Sequence, residues 1–229
     1  MEWSSAAVLV TGFPSLVTAT NCWVIAPGPG EQCVIVDPGI GVEGQLNEVI
    51  AENRLHPVAV LLTHGHLDHT FSVFPVCQAR GIPAYIHSED RAQMSDPWSP
   101  LGMPKGSPLM GMTNLSFAEP DEVLELTDAS TVALAGLEFG VRHAPGHTRG
   151  SMVFGLTGAE DELLFSGDVL FAGSIGRVDL PGGSMAEMLD SLRRVVLPLA
   201  DDIVVHAGHG PSTTIGRERR TNPYLVDLA

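Results

Sequence analysis

His64, His66, Asp68 and His69 fall within six residues of one another in the run Thr63-His64-Gly65-His66-Leu67-Asp68-His69. Neutral imidazole and carboxylate are ligands that zinc, iron and manganese accept. In an extended chain residues i and i+2 point the same way, so His64 and His66 can grip one ion. Gly65 between them leaves the backbone uncrowded and free to turn. Asp68 and His69 follow after that turn and can face a second ion. A single histidine in a polar loop is ordinarily just a solvated side chain. Four ligand-type residues at this spacing, directly behind an apolar run, point instead to a metal centre.

The apolar run is 57–62, rich in β-formers and short enough for a buried strand. The metal-type residues thus sit where a strand ends and a loop begins. Residues 6–10 and 21–26 read as further strands, separated by a turn near Gly12-Phe13-Pro14. Residues 33–36 form another buried strand that ends in Asp37-Pro38-Gly39, a turn sequence whose carboxylate could also brace a ligand from behind. Helical periodicity covers 44–54 and 71–80, and 84–86 reads as a short strand. This alternation is an α/β signature. Residues 94–120 differ. Five prolines break regular structure there, and Met94, Met103, Met110, Met112, Trp98 and Phe117 are concentrated in the same stretch. It reads either as an irregular surface excursion or as an apolar flap or self-association surface. Strands at 123–126, 131–134, 137–141, 152–156, 163–165 and 203–205 follow, with a capped helix starting at Ser184. No linker or low-complexity run divides the chain, so one domain over 1–229 is expected.

His64-Gly65-His66-Leu67-Asp68-His69 resembles the H-x-H-x-D-H signature of the metallo-β-lactamase-fold superfamily. Three later segments resemble its remaining ligand motifs: Pro145-Gly146-His147-Thr148, Ser166-Gly167-Asp168 and Gly208-His209-Gly210-Pro211. The resemblance implies an internally duplicated αββα sandwich, two mixed β-sheets flanked by helices. It also implies two divalent metals, zinc in the first instance, with iron or manganese as alternatives. His64, His66 and His147 would hold the first, Asp68, His69 and His209 the second, with Asp168 bridging. Asp68 and Asp168 would then be the carboxylates closest to the chemistry. Asp37 and His143 would support ligands from behind. Two cations about 3.5–4 Å apart can share a bridging hydroxide and lower its pKa towards neutrality, while a metal polarises the attacked carbonyl.

The bridging Asp168 argues against the lactamase branch that uses Cys at its second metal. Gly176-Arg177-Val178-Asp179 and the tail from Glu218 to Leu225 resemble short bacterial glyoxalase-II-like hydrolases, which cleave thioesters of 2-hydroxyacyl groups. Persulfide dioxygenases, which use one ferrous ion, share nearly all these motifs, so the ligands alone leave that alternative open. A non-catalytic metal-binding protein would be expected to show a broken ligand set. Arg149, Arg177 and Arg219 could meet a substrate carboxylate, with Arg177 the candidate substrate contact, though it could instead pair with Asp179. Fewer than twenty residues follow Pro211, so no counterpart of a helical glutathione-binding domain is expected, and thiol recognition should be loose.

Composition sets outer limits. At 229 residues, 44% hydrophobic and 17% charged, the chain can bury a sizeable core. A net charge of −15 repels phosphate backbones, which argues against a nucleic-acid partner; the resemblance implies a small thioester substrate instead. Three cysteines, Cys22, Cys33 and Cys77, give no paired framework and suit a reducing compartment. With no basic leader and no spanning stretch, a cytoplasmic protein without membrane contact is expected, as a monomer or homo-oligomer.

Overall fold

The computed structural model describes residues 8–109, 111, 113, 115–156 and 162–228. Twelve strands form two six-stranded sheets, each built from one half of the chain. The first sheet runs in the order β1 (Leu9–Pro14), β2 (Asn21–Ala26), β3 (Gln32–Val36), β4 (His56–Leu61), β5 (Ala84–His87), β6 (Val123–Leu126). The second contains β7 (Thr131–Leu134), β8 (Leu137–His143), β9 (Met152–Leu156), β10 (Leu163–Gly167), β11 (Val204–Ala207) and β12 (Thr213–Thr214), laid side by side in that order. Both sheets are mixed. β3, β4, β5 and β6 are parallel neighbours, as are β10 and β11, and the remaining pairs are antiparallel.

The central strands read as near-continuous apolar runs because both of their faces are covered. Alternate residues separate into two cores. Ile25, Val34, Val36 and Leu61 of the first sheet meet Phe139, Val141, Phe154 and Phe165 of the second, forming the layer between the sheets. Their neighbours Val24, Ile35 and Val60 face outward onto helices α1 (Glu43–Asn53) and α3 (Val73–Arg80). On the other side Val153, Leu164 and Val205 pack on α5 (Met185–Ser191), its π-helical continuation Leu192–Val196, and α6 (Ile215–Thr221). The result is the expected αββα sandwich. Short helices α2 (Leu67–Thr70), α4 (Ser88–Arg91) and α7 (Pro223–Val226) complete it. No helix among the described residues is long and apolar enough to cross a membrane.

Two expectations shift. Gly12, Phe13 and Pro14 lie inside β1 rather than in a turn, paired in register with Trp23, Cys22 and Asn21. The Trp23 ring lies over Gly12, where a Cβ would sit 2.1 Å from it, so the glycine accommodates a cross-strand tryptophan. Pro14 is tolerated because β1 is an edge strand. Ala6 and Ala7, also expected in that strand, lie outside the described residues. The helix expected over 71–80 is present from Val73, two residues later than expected, and a separate short helix precedes it. α2 places Asp68 and His69 on its own short turn, and α3 begins after Ser72, whose N–H donates to the Pro38 carbonyl at 3.0 Å. All three cysteines are free and buried. Burial pushes the thiols of Cys33 and Cys77 up to about 12, so they act as inert apolar filler.

Candidate metal centre

Every strand that ends at the site hands its ligands to the same edge of the sandwich. The loop after β4 carries His64 and His66 and runs into α2 with Asp68 and His69. The β8–β9 connection carries His147, Asp168 follows β10, and His209 follows β11. Three groups of ligand-type atoms come together there: His64 with His66 and His147; His64 with His69 and Asp168; and Asp68 with His69 and His209, each within 4.8 Å of one another.

In the first group His147 Nε2 lies 2.8 Å from His66 Nδ1 and 3.1 Å from His64 Nε2. In the second position His209 Nε2 is 3.2 Å from Asp68 Oδ2, and His69 Nε2 is 3.3 Å from Asp168 Oδ1. Asp168 stands between the groups, with Oδ2 3.5 Å from His147 Nε2 and 3.7 Å from His209 Nε2. His69 Nε2 and Asp168 Oδ1 are buried and have no hydrogen-bond partner among the described residues. Buried polar atoms are ordinarily satisfied. Such atoms, aimed into a pocket of imidazoles and carboxylates, fit a divalent metal pair with its N and O ligand preferences.

Hydrogen bonds fix which nitrogen the rings of His64, His69 and His147 present. Thr63 Oγ1 donates to Asp37 Oδ2 at 2.6 Å, which leaves the hydroxyl free to accept from His64 Nδ1 at 3.1 Å, so Nε2 of His64 faces inward. Asp37 Oδ2 also accepts from His69 Nδ1 at 2.9 Å, again turning Nε2 inward. His147 Nδ1 donates to the Arg177 carbonyl at 2.7 Å. Thr20 Oγ1 donates to Asp68 Oδ2 at 2.9 Å. This is the supporting pattern metal-ligating histidines ordinarily carry. The close approach of the loops depends on Gly208, where a Cβ would sit 2.2 Å from Asp168 Oδ1 and 2.7 Å from the His69 ring.

The electrostatics follow from crowding. Burial, reinforced by the neighbouring imidazoles, pushes His64 well below the ordinary histidine range and takes His66 down to about 3. Burial alone would raise the carboxyls of Asp68 and Asp168, but the adjacent imidazoles, His69 foremost, overcome it and lower both. His69 and His209 move up, because their carboxylate neighbours outweigh burial. Ionised carboxylates beside neutral His64 and His66 are the protonation states a metal requires.

The remaining candidates are placed elsewhere or given other work. Asp37 stands directly behind His69 and Thr63, in a left-handed backbone conformation at φ 51°. His143 contacts the backbone of the His147 loop, through Nε2 to the Arg149 carbonyl at 2.7 Å, and stacks on His87 at 4.3 Å; it reaches ligands only through that loop. Arg177 lines the cavity at the site, but its guanidinium is paired with Asp179 at 2.7 and 2.8 Å. Arg219 instead caps the Leu197 and Leu199 carbonyls and pairs with Asp201. Arg149 lines a separate cavity next to α4.

Sequence reasoning gave no role to Asp90. It is fully buried and joins two ligand loops: Oδ2 accepts from Gly65 N at 2.9 Å and Thr148 Oγ1 at 2.6 Å, and Oδ1 from Gly150 N at 3.0 Å. Its partners lie far away in sequence, so no local pattern marks it. Glu218 and Asn222 belong to the tail segment 218–225. Glu218 is buried and accepts from Gly173 N at 2.7 Å and Thr213 Oγ1 at 2.6 Å, while Asn222 donates to the Ser174 carbonyl at 3.0 Å. Together they hold the turn that presents Phe171 edge-on to His209, 5.9 Å away.

A cavity of about 560 Å³ opens over the ligands. Its outer wall is Leu101, Met103, Pro108 and Leu109 from the proline-rich excursion, facing Leu67, Phe171 and Leu180. Trp98 and Leu109 are buried against Leu67, with Phe71 and Phe117 packed alongside. Of the two readings of residues 94–120, the apolar flap describes these contacts. Met110 and Met112 lie outside the described residues.

Residues 16–209 match the metallo-beta-lactamase superfamily, and the chain belongs to that family. An uncharacterized protein of Mycobacterium tuberculosis is 46% identical over 226 residues, covering 97% of this chain and all of that one. The hydroxyacylglutathione hydrolase GloC of Haemophilus influenzae is 37% identical over 195 residues, 85% of this chain and 88% of GloC. Among solved structures, the BLEG-1 B3 metallo-beta-lactamase superposes with a TM-score of 0.83 at 36% identity, covering 95% of this chain and 99% of that one. TTHA1623, solved in a di-iron-bound form, gives 0.73 at 33% identity, over 93% and 98%.

Proposed function

We propose that this chain is a metal-dependent hydrolase of thioesters, acting on 2-hydroxyacyl or related acyl thiols in the manner of glyoxalase II. The observation that carries the reading is the set of adjoining ligand groups with Asp168 standing between His147 and His209, and a cavity above them. The likeness to GloC supports the thioester, and the likeness to a di-iron-bound protein supports two ions of a divalent metal, zinc or iron.

His64, His66 and His147 would hold one ion, Asp68, His69 and His209 the other, and Asp168 both. When bound, such a pair lowers the pKa of water and polarises a carbonyl oxygen. The chain's own residues do the rest. Thr63, Asp37 and the Arg177 carbonyl hold the rings in the tautomers that bare Nε2. Thr20 donates to Asp68 Oδ2 and orients that carboxylate at the rim. The apolar wall limits bulk water, which strengthens every charge interaction at the reacting carbonyl. A thiolate leaves readily, so the site needs no dedicated acid for the leaving group. The acidic balance supports a small-molecule substrate rather than nucleic acid, and the unpaired cysteines support a cytoplasmic setting.

The test is thiol release from lactoyl thioesters by the zinc-loaded protein, run beside persulfide-dependent oxygen uptake by the iron-loaded protein. Thiol release without oxygen uptake is expected. Oxygen uptake without thiol release would assign the site to a persulfide dioxygenase.

A further inference from the structure

Resting on the thioesterase reading, we infer that the substrate of this site carries an apolar acyl group, larger and less polar than a 2-hydroxypropionyl group. The cavity over the ligands, about 560 Å³, falls within the range of small-molecule sites, ~300–1,000 Å³. Away from the metal-type residues its wall is almost wholly hydrocarbon: Leu67, Leu101, Met103, Leu109, Phe171 and Leu180. The cation in that wall, Arg177, is already held by Asp179 through two short hydrogen bonds. A hydroxyl or carboxylate placed against these side chains would lose water and gain no partner among them, which disfavours binding. An alkyl or aryl group there gains what the wall offers.

Two features make the wall a built surface rather than an accident of loop placement. Leu109 is 3% exposed and is anchored with Trp98, whose indole N–H donates to the Ser107 carbonyl at 2.8 Å. On the opposite side, buried Glu218 and Asn222 fix the turn that carries Phe171.

The experiment measures kcat/KM of the zinc-loaded protein on thioesters of one small neutral thiol, N-acetylcysteamine, carrying acetyl, butyryl, hexanoyl, octanoyl and lactoyl groups. Each methylene buried should raise kcat/KM about fourfold, equivalent to ~0.8 kcal/mol, until the cavity is filled. Hexanoyl should exceed lactoyl by at least about tenfold on the same scale. A flat series, or lactoyl fastest, overturns the inference and leaves the thioesterase reading standing. No hydrolysis of any member removes both. Met103→Ser and Leu180→Ser should each flatten the rise with chain length. Because that slope is a ratio within one preparation, partial unfolding of a variant does not change it. An unchanged slope in both variants would overturn the assignment of this wall.

Discussion

Asp37 Oδ2 accepts a hydrogen bond from His69 Nδ1 at 2.9 Å while the other Asp37 oxygen accepts from Thr63 N at 2.8 Å. One buried carboxylate, at the end of β3, thereby sets the ring of a ligand candidate and the backbone of the loop after β4. Asp37→Asn should weaken binding of the second metal equivalent by ~10–100-fold, as loss of such supports ordinarily does, with less effect on the first. Competition with a chromogenic chelator measures this. Two unchanged affinities would show that Asp37 serves the turn alone.

Asp168 faces His69, His147 and His209, whereas His209 belongs only to the group with Asp68 and His69. Asp168→Ala should therefore reduce both metal occupancy and thioester turnover more than His209→Ala. Comparable residual activity and metal content in the two variants would contradict the bridging role.

Asp90 receives hydrogen bonds from Gly65, Thr148, Gly150 and Gln93. Asp90→Ala would strand several buried donors, at about 1–3 kcal/mol for each one left unsatisfied and not fully additive. A loss of roughly 3 kcal/mol in denaturant unfolding is expected for the metal-free chain, with weaker binding at the first metal position. A variant as stable as the parent would show that water or repacking replaces the carboxylate.

His206 packs between Trp23 and Phe165, and burial takes its pKa down to about 4. The unfolded chain then binds the proton more readily than the folded one. Stability from this residue is fully present above the ordinary histidine pKa of ~6.5 and is lost as pH falls towards 4, by about 3 kcal/mol. His206→Gln should show a shallower decline of unfolding free energy between pH 6.5 and 4 in the zinc-loaded protein. An identical slope would place the titration elsewhere.

The ligand candidates were legible because each follows a strand-like run, and because the first four, His64, His66, Asp68 and His69, are locally spaced. The seven residues that converge are the seven the motifs marked. The sandwich was legible for the same reason: Val24, Ile35 and Val60 alternate with Ile25, Val34 and Leu61, one set for helices and one for the facing sheet. What the sequence did not disclose is long-range or geometric. Asp90 meets partners 25 to 60 residues away. Gly12 looked like a turn residue, yet it lies in a strand because Trp23 covers it. The proline-rich excursion had no periodicity from which to infer the face its Leu and Met side chains cover.

If metals held by these seven residues drive thioester hydrolysis, titrating metal-free protein with zinc while following thiol release will show it. Activity should be absent at the start, rise with metal and reach its plateau near two equivalents per chain. A plateau near one equivalent would contradict the paired site, and no thiol release at any loading would contradict the hydrolase.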